Sequence, residues 1–152
     1  MDDYKEGSLR LLTLGEIKLP LLLISSILVT GCPGIGDRLQ PDETTSVSKI
    51  RDEICFLVPN SRDYQPIFIA INQRNKPSQE MTFTRKPDLH VQNGQLCLPA
   101  DFYAFPEKGE FIVQYILASQ KDSESRRSVV SAFEIANGRV HNLTLTRQEI
   151  TR

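Results

Sequence analysis

The sequence predicts an all-β domain of about seven to nine short antiparallel strands, following an N-terminal signal helix and a flexible tether. Three observations carry this expectation. Runs of β-branched and aromatic residues recur with turn residues between them at intervals of about 8–12 residues. Two Asn-Gly dipeptides, Asn93-Gly94 and Asn137-Gly138, each separate a pair of such runs. Cys55 and Cys97 sit in matching contexts, Ile54-Cys55-Phe56-Leu57-Val58-Pro59 and Leu96-Cys97-Leu98-Pro99, apolar strands that stop at a proline.

The elements follow in order. A first strand pair is expected over residues 45–49 and 53–58. Residues 65–72 (QPIFIAIN) are rich in β-branched side chains and bounded by Pro66 and by Asn75-Lys76-Pro77. Residues 82–85 (TFTR) make a short strand. Residues 89–92 and 95–98 pair about Asn93-Gly94, because Asn-Gly supplies the positive φ that a type I′ turn needs at both central positions. Residues 100–106 (ADFYAFP) form the main irregular piece, with one helical turn. Residues 110–119 (EFIVQYILAS) are apolar on both alternations, as in a strand covered on both faces. Residues 121–127 (KDSESRR) read as a polar hairpin loop, and residues 128–136 and 139–143 pair about Asn137-Gly138. With no tryptophan, and cysteines closer than an antibody domain's inter-sheet pair, the architecture is an immunoglobulin-like β-sandwich in the loose sense. A small β-barrel is the alternative.

The first 31 residues read as targeting sequence. Residues 19–31 are too short for a bilayer span, which needs about 20 apolar residues, and suit a signal-peptide core of about 7–15. Pro20 and the exit Gly31-Cys32-Pro33-Gly34 disfavour a buried helix. Val29-Thr30-Gly31-Cys32 resembles a lipobox, in which the cysteine thiol is lipidated and the chain is cut between Gly31 and Cys32. The expected organisation is a signal peptide over 1–31, a lipidated Cys32 with a flexible tether over 32–45, and the sandwich over 46–152. Residues 33–45 (PGIGDRLQPDETT) hold little to bury and could reach up to about 45 Å when extended. Residues 1–18 carry Lys5, Arg10 and Lys18 against four acidic groups, so translation is expected to start further in, leaving Lys18 as the positive residue. Pro33, not aspartate, follows Cys32, which by resemblance to Gram-negative lipoproteins implies the periplasmic leaflet of the outer membrane.

Charge excludes one class of partner. The chain holds 18 basic and 19 acidic residues, of which residues 1–31 contribute 3 and 4, leaving 15 of each. A neutral domain with no basic stripe offers nucleic acid no electrostatic footprint. Cys55 and Cys97, in an oxidising compartment, are expected to form a structural disulfide closing a loop of 42 residues. A metal pair or a nucleophile is the weaker reading; CxxC spacing is missing and the chain has only two histidines, which does not make a zinc site. His90 and His141 each fall in a hairpin strand. No Gly-x-Ser-x-Gly, His-Glu-x-x-His or phosphate-binding glycine loop is present, so neither catalysis nor a cofactor is expected.

Binding is the chemistry left. Phe102, Tyr103 and Phe105 lie within four positions, where aromatic side chains on a loop either anchor a partner or plug the end of the sandwich. With the plug reading, Asp101, Tyr103, Glu107 and Lys108 are the exposed candidates for partner contact. Cys55-Phe56 with Pro59, Asp63-Tyr64-Gln65-Pro66, the block from Asn93 to Gly109, Phe111-Ile112-Val113-Gln114-Tyr115 and Asn137-Gly138-Arg139-Val140 together resemble the enterobacterial type VI secretion immunity periplasmic lipoproteins. The resemblance runs from about residue 48 to 151 and is most specific over Asn93–Gly109. It implies a membrane-anchored protein that captures a secreted toxin. A structural or assembly lipoprotein of an envelope complex and a peptide- or glycan-binding module are the other classes these residues allow.

Overall fold

The computed structural model describes residues 42–77 and 80–150. The expected signal peptide over 1–31, the expected lipidation site Cys32 with its cleavage point after Gly31, and residues 32–41 of the expected tether lie outside the described residues.

Among the described residues ten strands form two sheets and one helical turn follows them: β1 (Glu43–Thr44), β2 (Val47–Ile50), β3 (Glu53–Leu57), β4 (Tyr64–Gln73), β5 (Thr82–Arg85), β6 (Val91–Gln92), β7 (Gln95–Leu98), β8 (Gly109–Ser119), β9 (Arg126–Ala136), β10 (Arg139–Leu143) and α1 (Arg147–Ile150). The larger sheet runs β1-β9-β8-β4-β5, with β10 sharing the edge of β9 that β1 occupies; the smaller runs β2-β3-β7-β6. The sheets are separate and no barrel closes. The domain is therefore a β-sandwich.

Several details differ from expectation: α1 has no counterpart in the expected elements, and the strand expected over 89–92 holds only Val91 and Gln92. Glu43 and Thr44, read as tether, form β1 and pair in parallel with Val129 and Val130. The Arg127 guanidinium holds the Glu43 carboxylate in a bidentate pair at 2.8 and 2.6 Å, a long-range contact invisible in two polar residues. Glu43 and Thr44 thus belong to the sandwich, and one strand pair is parallel. Arg126 and Arg127, read as loop, open β9 instead, and β8 and β9 run to 11 residues each.

The core follows from alternation. Along β8, Phe111, Val113, Tyr115 and Leu117 are buried between the sheets, and the intervening residues face outward. Phe56 on β3 reaches across, edge-on to Tyr115 at 5.6 Å and to Phe133 at 6.0 Å. Such pairs add about 0.5–1.5 kcal/mol beyond area burial. Asn93 and Asn137 have φ of 51° and 52°, with Gly94 and Gly138 at 73° and 72°, so both hairpins turn as their Asn-Gly pairs require.

Cys55 and Cys97 are Cα partners on β3 and β7 and form the disulfide, with Cα atoms 4.0 Å apart. The bridge joins neighbouring strands within the smaller sheet, unlike the inter-sheet bridge of antibody domains. Carboxamides tie the two sheets together. On one flank Asn142 of β10 accepts from the Val47 N–H at 2.7 Å and donates to its carbonyl at 3.0 Å. On the other, Gln65 of β4 accepts from the Val91 N–H at 2.9 Å and donates to its carbonyl at 3.5 Å. Both outer strands of the smaller sheet thus have backbone groups satisfied by side chains from the larger.

Candidate functional site

One end of the sandwich carries the site. Pro99 stops β7, and its carbonyl accepts from the N–H groups of Phe102 and Tyr103 at 3.0 and 3.2 Å, closing a hydrogen-bonded turn where a helical turn is expected from the sequence. That turn sends Phe105 inward, against Phe111 at 5.2 Å and Phe133 at 5.7 Å. Phe102, Tyr103 and Phe105 all pack on the core, so the aromatic cluster is a plug. Gly109 lets the chain turn into β8 at φ 150°, and a Cβ there would come within 3.3 Å of the Phe111 ring.

Anchoring Phe105 leaves the next residues standing at the rim. A cleft of about 650 Å³ opens between the 104–108 segment, the β2–β3 turn and the β9–β10 turn. Its floor is apolar, from Ile54, Phe105 and Ile135, and its rim carries Lys49, Asp52, Glu107 and Lys108. Glu107 and Lys108 are exposed, and none of the four rim charges takes part in an ion pair among the described residues. An apolar floor with unpaired charge of both signs around it suits a protein surface of complementary shape.

The four expected contact residues therefore divide. Glu107 and Lys108 line the cleft. Asp101 is exposed but outside it. Tyr103 is half-buried, edge-on to Phe105 with ring centroids 4.6 Å apart, which corrects its expected exposure. Lys49 and Asp52 were not expected at the site. Lys49 on β2 and Asp52 on the turn after it come opposite a distant loop only because β2 and β3 stack over β9, which local sequence does not state.

The other polar clusters are structural. Arg74 donates to Glu149 at 3.0 and 3.1 Å and to the Thr144 carbonyl at 2.8 Å, pinning α1 to the end of β4. The Arg74 guanidinium, set against the opposing effect of burial, holds the Glu149 carboxyl down at about 2. The same carboxylate accepts from the Thr146 N–H at 2.6 Å, the glutamate half of a capping box over Thr146-Arg147-Gln148-Glu149. At the opposite end, Arg127 pairs with Glu43, donates to the Asn60 carbonyl at 3.2 Å and lies 5.3 Å from the Tyr64 ring centroid. Glu53, Cys55 and Cys97 cluster closely, but both sulfurs belong to the disulfide and are not thiolate ligands. His90 precedes β6 and His141 lies on β10, and neither lines the cleft.

Comparison with known proteins gives one result. The family described as "Domain of unknown function (DUF7480)" matches residues 42–138. The chain belongs to that family. No curated protein and no solved structure matches it. The matched span begins with β1 and ends at the β9–β10 turn, so it contains every residue lining the cleft, from Lys49 to Gly138. β10 and α1 lie beyond it.

Proposed function

We propose that this chain is a periplasmic, lipid-anchored immunity protein that binds and neutralises a type VI secretion toxin through the cleft at the 100–108 end. One observation carries the reading: the block Asn93–Gly109, most specific in the resemblance to immunity lipoproteins, builds one wall of the cleft. Glu107 and Lys108 supply half of its rim charge.

The remaining features fit this role. A lipidated Cys32 would hold the domain at the inner leaflet of the outer membrane, where a delivered toxin arrives, and several acyl chains make such anchoring stable. Inhibition by capture needs a rigid surface, and a standard interface covers about 800 Å² per partner. The cleft and its rim supply a centre for such a patch, with Phe105 held from behind by Phe111 and Phe133. Rigid support of this kind lowers the ordering cost of binding.

The test is a contact-dependent competition between the parent strain and its deletion mutant, with parental type VI secretion intact or disabled. Death of the mutant only beside secretion-competent parents, reversed by restoring the gene, is the expected result. Equal survival in both arms, with the cognate toxin expressed, overturns the proposal and favours the assembly-lipoprotein class.

A further inference from the structure

The smaller sheet has the backbone of its two outer strands engaged by Asn142 and Gln65; β5, at the margin of the larger sheet, has no such tie. β5 pairs with β4 on one side, through Phe68↔Arg85, Ile69↔Thr84, Ala70↔Phe83 and Ile71↔Thr82. Its other side meets no hydrogen-bond partner among the described residues. At its centre Phe83 is 58% exposed, the most exposed of the large apolar side chains among the described residues. Its ring stacks on Phe68 at 6.2 Å, on the outward face of the sheet. An open strand edge with an exposed aromatic is a template for another strand.

We propose that this edge takes a second copy of the chain, two β5 strands pairing antiparallel about a two-fold axis at Phe83. The sequence around that axis is self-complementary. Phe83 faces the second Phe83, Thr82 faces Thr84 and Met81 faces Arg85; just beyond the strand ends, acidic Glu80, which pairs with Lys76 of its own chain at 3.4 Å, comes near basic Lys86. Aromatic pairs, threonine pairs and opposite charges are each favourable directly across an antiparallel ladder. Centring the axis on Thr84 would set Phe83 against Arg85, and centring it on Arg85 would set like charges face to face. Because the axis is perpendicular to the sheet, both Phe83 rings stay on the outward face. They then join the two Phe68 rings in a continuous apolar row. The interface is isologous and closes at two subunits. It lies on a different surface from the cleft and does not depend on the immunity reading.

The pairing is short, so association is expected to be weak and reversible, visible by sedimentation of the purified full-length chain between about 1 μM and about 1 mM. The expected result is a monomer–dimer equilibrium that Phe83→Asp weakens at least about tenfold. Lys86→Glu alone weakens it less, and Glu80→Lys combined with Lys86→Glu restores it. Retained circular dichroism and an unchanged melting midpoint show that these exposed substitutions leave the fold intact. A monomer across the whole range overturns the proposal, as does a dimer indifferent to Phe83→Asp. Failure of the double charge swap to restore association overturns the register.

Discussion

Tyr115 shows how much one atom can be at odds with its surroundings. Its ring is fully buried and packs against Phe56, but its hydroxyl has no hydrogen-bond partner among the described residues. Burial raises its ionisation above the ordinary phenol range, so it stays neutral. A buried, unpaired hydroxyl costs about 1–3 kcal/mol. Tyr115→Phe is therefore expected to leave the melting midpoint unchanged or raise it, whereas Tyr115→Ala lowers stability by about 3–5 kcal/mol through the cavity it opens. Differential scanning calorimetry on the two variants checks this contrast. Glu149 is the opposite case, a carboxylate satisfied twice, by Arg74 and by the Thr146 N–H. Its folded-state ionisation lies near 2 against an ordinary 4.5, so the charged form favours the fold. That contribution is present above about pH 4.5 and is lost as pH falls toward 2. Glu149→Gln is expected to cost about 1 kcal/mol at neutral pH and to flatten the loss of midpoint between pH 5 and pH 2. A parallel pH dependence in both proteins would show that the pair contributes nothing.

At the scale of elements, the disulfide is the strongest local constraint. It bridges two adjacent central strands and closes a loop of 42 residues that includes β4, β5 and β6. The chain-entropy treatment assigns such a loop roughly 4 kcal/mol. Reduction, or replacement of both cysteines by alanine, is expected to lower the midpoint by many degrees, at a few degrees per kcal/mol, as thermal melts with and without reductant would show. An unchanged midpoint would mean that the β3–β7 ladder alone sets the stability. Elements whose chemistry is local were legible in the sequence. Both Asn-Gly hairpins, the prolines that end β3 and β7, and the apolar run of β8 fell where pattern and turn chemistry placed them. The elements that escaped depend on distant partners. β1 is two polar residues held by Arg127 from 84 positions away. α1 is a single turn, whose Thr146-x-x-Glu149 capping signature was present but whose stability comes from Arg74. The carboxamide ties of Gln65 and Asn142 have no sequence signature, because each satisfies the backbone of a strand in the other sheet.

Across the whole molecule, the packing of the core decides what is left for binding. Phe102, Tyr103 and Phe105, conspicuous in the sequence as a cluster, are used to seal one end of the sandwich. Sealing it fixes the backbone that presents Glu107 and Lys108, and stacking of the smaller sheet brings Lys49 and Asp52 to the same rim. Half of the candidate site was therefore legible as residues, and its other half only as a consequence of the fold. Segments 1–41 carry the lipobox reading, and the anchoring proposed for Cys32 is independent of the cleft's shape. The most direct measurement is the competition assay with the deletion mutant complemented by rim variants. Capture through the cleft predicts that the wild-type gene protects beside secretion-competent neighbours, and that the double reversal Glu107→Lys with Lys108→Glu, expressed at the same level and equally heat-stable, protects at least about tenfold less. Full protection by the reversed rim would contradict the cleft as the binding surface, and loss of protection for wild type as well would contradict immunity itself.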